Sequence, residues 1–99
     1  MTRKETLERA AECVCTQREQ DYGAPENNFA FIAELWESYL RRIVPAHVCL
    51  RPMDVAIMMT LLKIARIGTG TQTEDSFVDL AGYAACAAEL AGKQHEAEA

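Results

Sequence analysis

Apolar residues recur at three- and four-residue spacing over four stretches of the chain, separated by segments that contain glycine or proline. The pattern predicts four helices. Thr2 followed by Glu5 is the reciprocal capping pattern that opens a helix, and Leu7, Ala10, Ala11 and Val14 carry a narrow apolar seam to about Arg18. Arg3, Lys4, Glu8, Arg9 and Glu12 fall on the wet side. Gly23 and Pro25 then break the periodicity and leave Arg18, Asp21 and Tyr22 on a loop, where binding groups tend to sit.

A second helix is expected from Pro25–Asn27 to about Arg42, with a broad aromatic face of Phe29, Ile32, Leu35, Trp36, Tyr39, Leu40 and Ile43. Glu34 and Glu37, three residues apart, share a side of it. The apolar connector from Val44 to Leu50 includes His47, expected to make a local hydrogen bond there. It ends at Arg51-Pro52, a helix start signal. The third helix is apolar in nearly every direction (Val55, Ile57, Met58, Met59, Leu61, Leu62, Ile64, Ile67) until Gly68 and Gly70 supply a stop. Such a helix must be covered all round, so a chain this short is expected to self-associate as a homo-oligomer, at least a dimer. Glu74 and Asp75 open a fourth helix, rich in alanine, that ends near Gly92. The expected organisation is one helical domain over residues 1–92 and a flexible polar tail over 93–99.

Short connections between helices favour antiparallel neighbours, so an all-α antiparallel four-helix bundle is the expected fold. Counting from the turn near Thr71, Lys63 lies eight residues before and Asp79 eight after; Arg66 lies five before and Asp75 four after. Two cations of the third helix should therefore face two carboxylates of the fourth.

Composition narrows the classes. A net charge of −5 on 99 residues argues against a general DNA or RNA binder, so any anion must be held by a local cation cluster. No apolar run approaches the roughly 18 residues of a membrane span, and a soluble cytoplasmic protein is expected, with no membrane partner. The four cysteines (Cys13, Cys15, Cys49 and Cys86) read as reduced core or boundary residues. Cys13, Cys15, His47 and Cys49 lack the spacing of a zinc site.

Arg18, Asp21-Tyr22-Gly23, Pro25-Glu26-Asn27-Asn28-Phe29, Ile32-Ala33, Leu35-Trp36, then Asp54-Val55-Ala56, Met59, Leu62 to Arg66, and Asp75-Ser76, Val78-Asp79, Gly82-Tyr83-Ala84 together resemble a family of small proteins common in bacteriophage genomes. That family is in turn distantly similar to the all-α MazG-type nucleotide pyrophosphohydrolases. The resemblance implies that Glu34 and Glu37 match the first of two magnesium-binding acid pairs, that Asp79 matches the last acid, and that Lys63 and Arg66 are candidates to meet phosphate. The position three before Asp79 is Ser76 rather than an acid, and Asp75 stands about 100° away around the helix.

The incomplete acid set favours a binding module over an enzyme. In that reading the protein sequesters a nucleotide or nucleotide-derived immune signal in the infected host, needs no cofactor and catalyses nothing. Arg18, Lys63 and Arg66 would neutralise phosphates, Tyr22 or Trp36 would stack on the base, and Asp21, Asn28 or Asp79 would read ribose or base edges. The alternative is a Mg²⁺-dependent nucleoside triphosphate pyrophosphohydrolase with the metal on Glu34, Glu37, Asp75 and Asp79. A further alternative is an oligomeric helical interaction protein without a ligand.

Overall fold

A computed structural model describes residues 1–17, 25–70 and 73–98. Among them are four α-helices and no strand: α1 (Arg3–Glu12), α2 (Pro25–Ile43), α3 (Pro52–Thr69) and α4 (Thr73–Glu98).

The ends of the helices follow from local chemistry. The Thr2 hydroxyl accepts from the Glu5 backbone N–H at 3.1 Å, satisfying one of the unpaired amides of the first turn. The return half of the expected box is altered, because the Glu5 carboxylate takes a bond from the Thr2 hydroxyl at 3.0 Å instead of from its backbone. At the start of α3, Asp54 accepts from the backbone N–H of Arg51 at 2.8 Å, while Pro52 occupies the position that has no amide to satisfy. α3 runs through Gly68 and stops at Gly70. α4 continues past Gly92 to Glu98, beyond the end that the glycine predicts.

The first helix departs from a regular seam. After Glu12 the backbone widens into a π-helical segment, Cys13–Gln17. Ala10 is buried and Val14 half-buried, whereas Leu7, placed on the seam by its spacing, is 63% exposed.

The core gathers Phe29 and Ala33 of α2, Val55 and Ala56 of α3, and Tyr83 and Cys86 of α4. Phe29 and Tyr83 meet with ring centroids 6.1 Å apart and tilted by 46°. Trp36, Leu50 and Met59 pack against this cluster from its edge. Around it much apolar surface stays in water: Phe31, Leu35, Tyr39 and Ile43 on α2, and Ile57, Met58, Leu61, Leu62 and Ile64 on α3. The radius of gyration, 14.7 Å, exceeds the roughly 13 Å of a compact chain of this length. A third helix expected to be enclosed is thus half-open within the single chain.

Candidate functional site

α3 and α4 are packed together, and where they meet Lys63 Nζ stands 2.9 Å from Asp79 Oδ2. The lysine side chain is 14% exposed and the aspartate 26%. A cation so far out of water needs a partner, and Asp79 supplies it. The ammonium carries three donors, so one carboxylate contact leaves it able to take a further acceptor.

Arg66 is one turn further along α3 and exposed. It does not pair with Asp75, the carboxylate that counting from the turn places opposite it. α1 packs against α4, and its Arg9 takes Asp75 at 3.4 Å between Nη2 and Oδ1. Among the described residues Arg66 has no ion-pair partner. Its five donors lie open to solvent on the side of the helix from which Lys63 projects.

The acids have separate surroundings. Glu37, 17% exposed, binds Arg41 at 3.1 Å and also accepts the backbone N–H of Leu50, tying the connector back onto α2. Asp75 is held by Arg9 and Asp79 by Lys63. Glu34 is exposed. Ser76, the position at which the expected second acid pair would need a carboxylate, is buried at 7% exposure and faces inward. No group of three or more His, Cys, Asp or Glu side chains converges as a metal site among the described residues.

Of the other expected residues, Asn28 is exposed and Trp36 is half-buried against the core; Arg18, Asp21 and Tyr22 lie outside the described residues. His47 Nε2 sits 3.1 Å from Cys49 Sγ, a contact confined to the connector. All four cysteines are free thiols.

The described surface carries open grooves, two of which lie at helix ends. One, of about 560 Å³, runs between the starts of α1 and α4, with Leu7, Phe77, Arg3 and Glu74 among its lining residues. The other, of about 380 Å³, is lined by Arg51, Pro52, Met53, Leu90 and Lys93. Neither includes Lys63 or Arg66.

Spacing alone did not reveal the Glu37 bond to Leu50 or the Arg51–Asp54 pair. In the latter, Arg51 donates through its backbone and through Nε and Nη2, at 2.8 and 3.2 Å, and these bonds hold the Asp54 carboxyl below its ordinary pKa against the opposing effect of partial burial. An acid two residues after Pro52 was the available signal for that cap.

No solved structure matches the chain. It is 45% identical to the Gene 55 protein of Mycobacterium phage L5 over 78 residues, 79% of this chain and 47% of the relative. The Gene 55 protein of Mycobacterium phage D29 is 43% identical over 81 residues, covering 81% of this chain and 49% of that protein. The chain thus spans about half the length of these curated phage relatives. A family model, DUF6378, described as a domain of unknown function, matches residues 5–91, and the chain belongs to that family.

Proposed function

We propose that this protein binds and sequesters a nucleotide or nucleotide-derived signal without hydrolysing it, at the end of α3 that carries Lys63 and Arg66, in an oligomer that closes over the ligand. The observation that carries this reading is the exposed Arg66 one turn from a lysine already held in place by Asp79. A planar guanidinium with open donors and a fixed ammonium together suit a phosphate or diphosphate group. The exposed apolar residues of α3 beside them, Leu62 and Ile64, favour a second subunit or a base as cover.

Capture is favoured over hydrolysis by the engagements of the acids. Glu37, Asp75 and Asp79 each already hold a cation or a backbone amide, and Ser76 replaces the remaining acid of the MazG-type pattern. The relatives from bacteriophages give the reading a context. Some bacterial defences announce infection with cyclic or ADP-ribose-type nucleotides, and a phage protein that removes them from the host cytoplasm would silence the alarm. No described helix is long and apolar enough to cross a membrane. The test is to mix the purified protein with candidate nucleotides, remove free ligand, denature the protein by heat and identify what is released. Intact nucleotide supports the reading; pyrophosphate and a nucleoside monophosphate support the hydrolase.

A further inference from the structure

Phe31, Leu35, Tyr39 and Ile43 recur every four residues along α2 and are 60%, 54%, 64% and 60% exposed. Four residues advance about 400° around a helix, so the side chains form one gently slanted ridge. The adjacent ridge on the same face is Glu34, Ser38 and Arg42, also exposed. The neighbouring Arg41 is engaged by Glu37 within the subunit, whereas Glu34 and Arg42 have no ion-pair partner among the described residues.

The order of these charges is informative. Glu34 and Arg42 stand eight residues apart, about 12 Å along the axis, on either side of Ser38. A copy of α2 rotated by a two-fold axis near Ser38 presents Arg42 to Glu34 and Glu34 to Arg42, while its apolar ridge enters the groove beside the first. The surface is therefore complementary to itself, as an isologous interface requires.

We infer that this face of α2 is where a second copy of the chain docks, with the two α2 helices crossing near Leu35 and Ser38 and exchanging two Glu34–Arg42 ion pairs. The inference rests on the self-association in the functional reading but needs no ligand. It is tested by sedimentation equilibrium of the full chain without nucleotide, with circular dichroism as the check on folding. The wild type should be a dimer or a higher even oligomer at micromolar concentration. Leu35→Glu should remain helical and raise the dissociation constant more than about tenfold, since a central apolar contact is lost to a buried charge. Arg42→Glu should weaken association roughly threefold or more, and combining it with Glu34→Arg should recover most of that loss. A helical Leu35→Glu variant that associates like the wild type, or a double variant no better than Arg42→Glu, overturns this interface while leaving self-association through another face intact. A monomeric wild type overturns both.

Discussion

A Cβ placed on Gly82 of α4 would stand 2.9 Å from Val14 Cγ1, inside the distance that real contacts keep. The π-helical segment after α1 therefore lies against α4 through the absence of a side chain. Val14 is β-branched and has little rotamer freedom with which to retreat. Gly82→Ala should destabilise the fold by about 1–3 kcal/mol through overpacking, despite alanine's better helix propensity. Urea denaturation measures it, and Val14→Ala in the same chain should return part of the loss. A Gly82→Ala variant as stable as the parent would mean that the segment shifts freely.

Among the described residues Glu37, unlike Glu34, is bound through its carboxylate within its own chain. Removing its carboxylate leaves the Leu50 N–H without its acceptor, so Glu37→Ala should cost about 1–3 kcal/mol. Glu37→Gln keeps an acceptor oxygen and should cost less, while Glu34→Gln, on a side chain exposed within the chain, should change the stability of a dissociated single chain by no more than about 0.5 kcal/mol. Equal losses at Glu34 and Glu37 in denaturant titrations would contradict this division.

Asp54 links stability to pH. Its folded pKa lies below the ordinary value of 3.8, chiefly through its hydrogen bond to the Arg51 side chain. A lowered folded value means that the folded state holds the proton less tightly, so the contribution is complete above the unfolded value and fades as pH falls through the folded one. Asp54→Asn should lower stability at neutral pH by about 0.5–1 kcal/mol, the size of a helix cap, and flatten the acid limb of the stability curve. The check is a set of thermal melts from neutral pH down into the carboxylate range; parallel acid limbs for variant and parent would refute the assignment.

The Lys63–Asp79 pair can be divided into a structural part and a ligand-facing part. Asp79→Ala leaves a largely buried ammonium alone and should be strongly destabilising, by about 3 kcal/mol or more. Replacing both residues by apolar ones, Lys63→Met with Asp79→Leu, should leave a folded chain, because a well-packed apolar pair often substitutes for an ion pair without loss. That folded double variant should no longer take up nucleotide. Uptake at wild-type level would move the ligand away from α3.

Much of this arrangement can be read from residue spacing. Thr2 and Glu5, Pro52 and the glycines near residue 70 carry local signals, and local chemistry places helix ends with little help from the rest of the chain. Lys63 and Asp79 could be matched by counting because a hairpin makes their separation from the turn a measure of position. Arg66 and Asp75 could not, since the count contains only two helices and Arg9 reaches Asp75 from a third. Leu7 has the spacing of a seam residue yet is exposed: it lines the open groove between the starts of α1 and α4, while Val14 of the segment after α1 meets α4 at Gly82. The apolar circumference of α3 signals a need for cover without naming what provides it. Arg18, Asp21 and Tyr22, expected to complete the ligand site, fall outside the described residues.

Calorimetry of the full chain against linear and cyclic nucleotides, each with and without Mg²⁺, tests capture most directly when paired with Arg66→Ala. The account predicts saturable binding that does not require Mg²⁺, ligand recovered unchanged, and loss of tight binding in a variant that remains folded, since the Arg66 side chain is exposed and makes no hydrogen bond or ion pair among the described residues. Cleavage of a nucleotide to pyrophosphate, or undiminished affinity in folded Arg66→Ala, would contradict it.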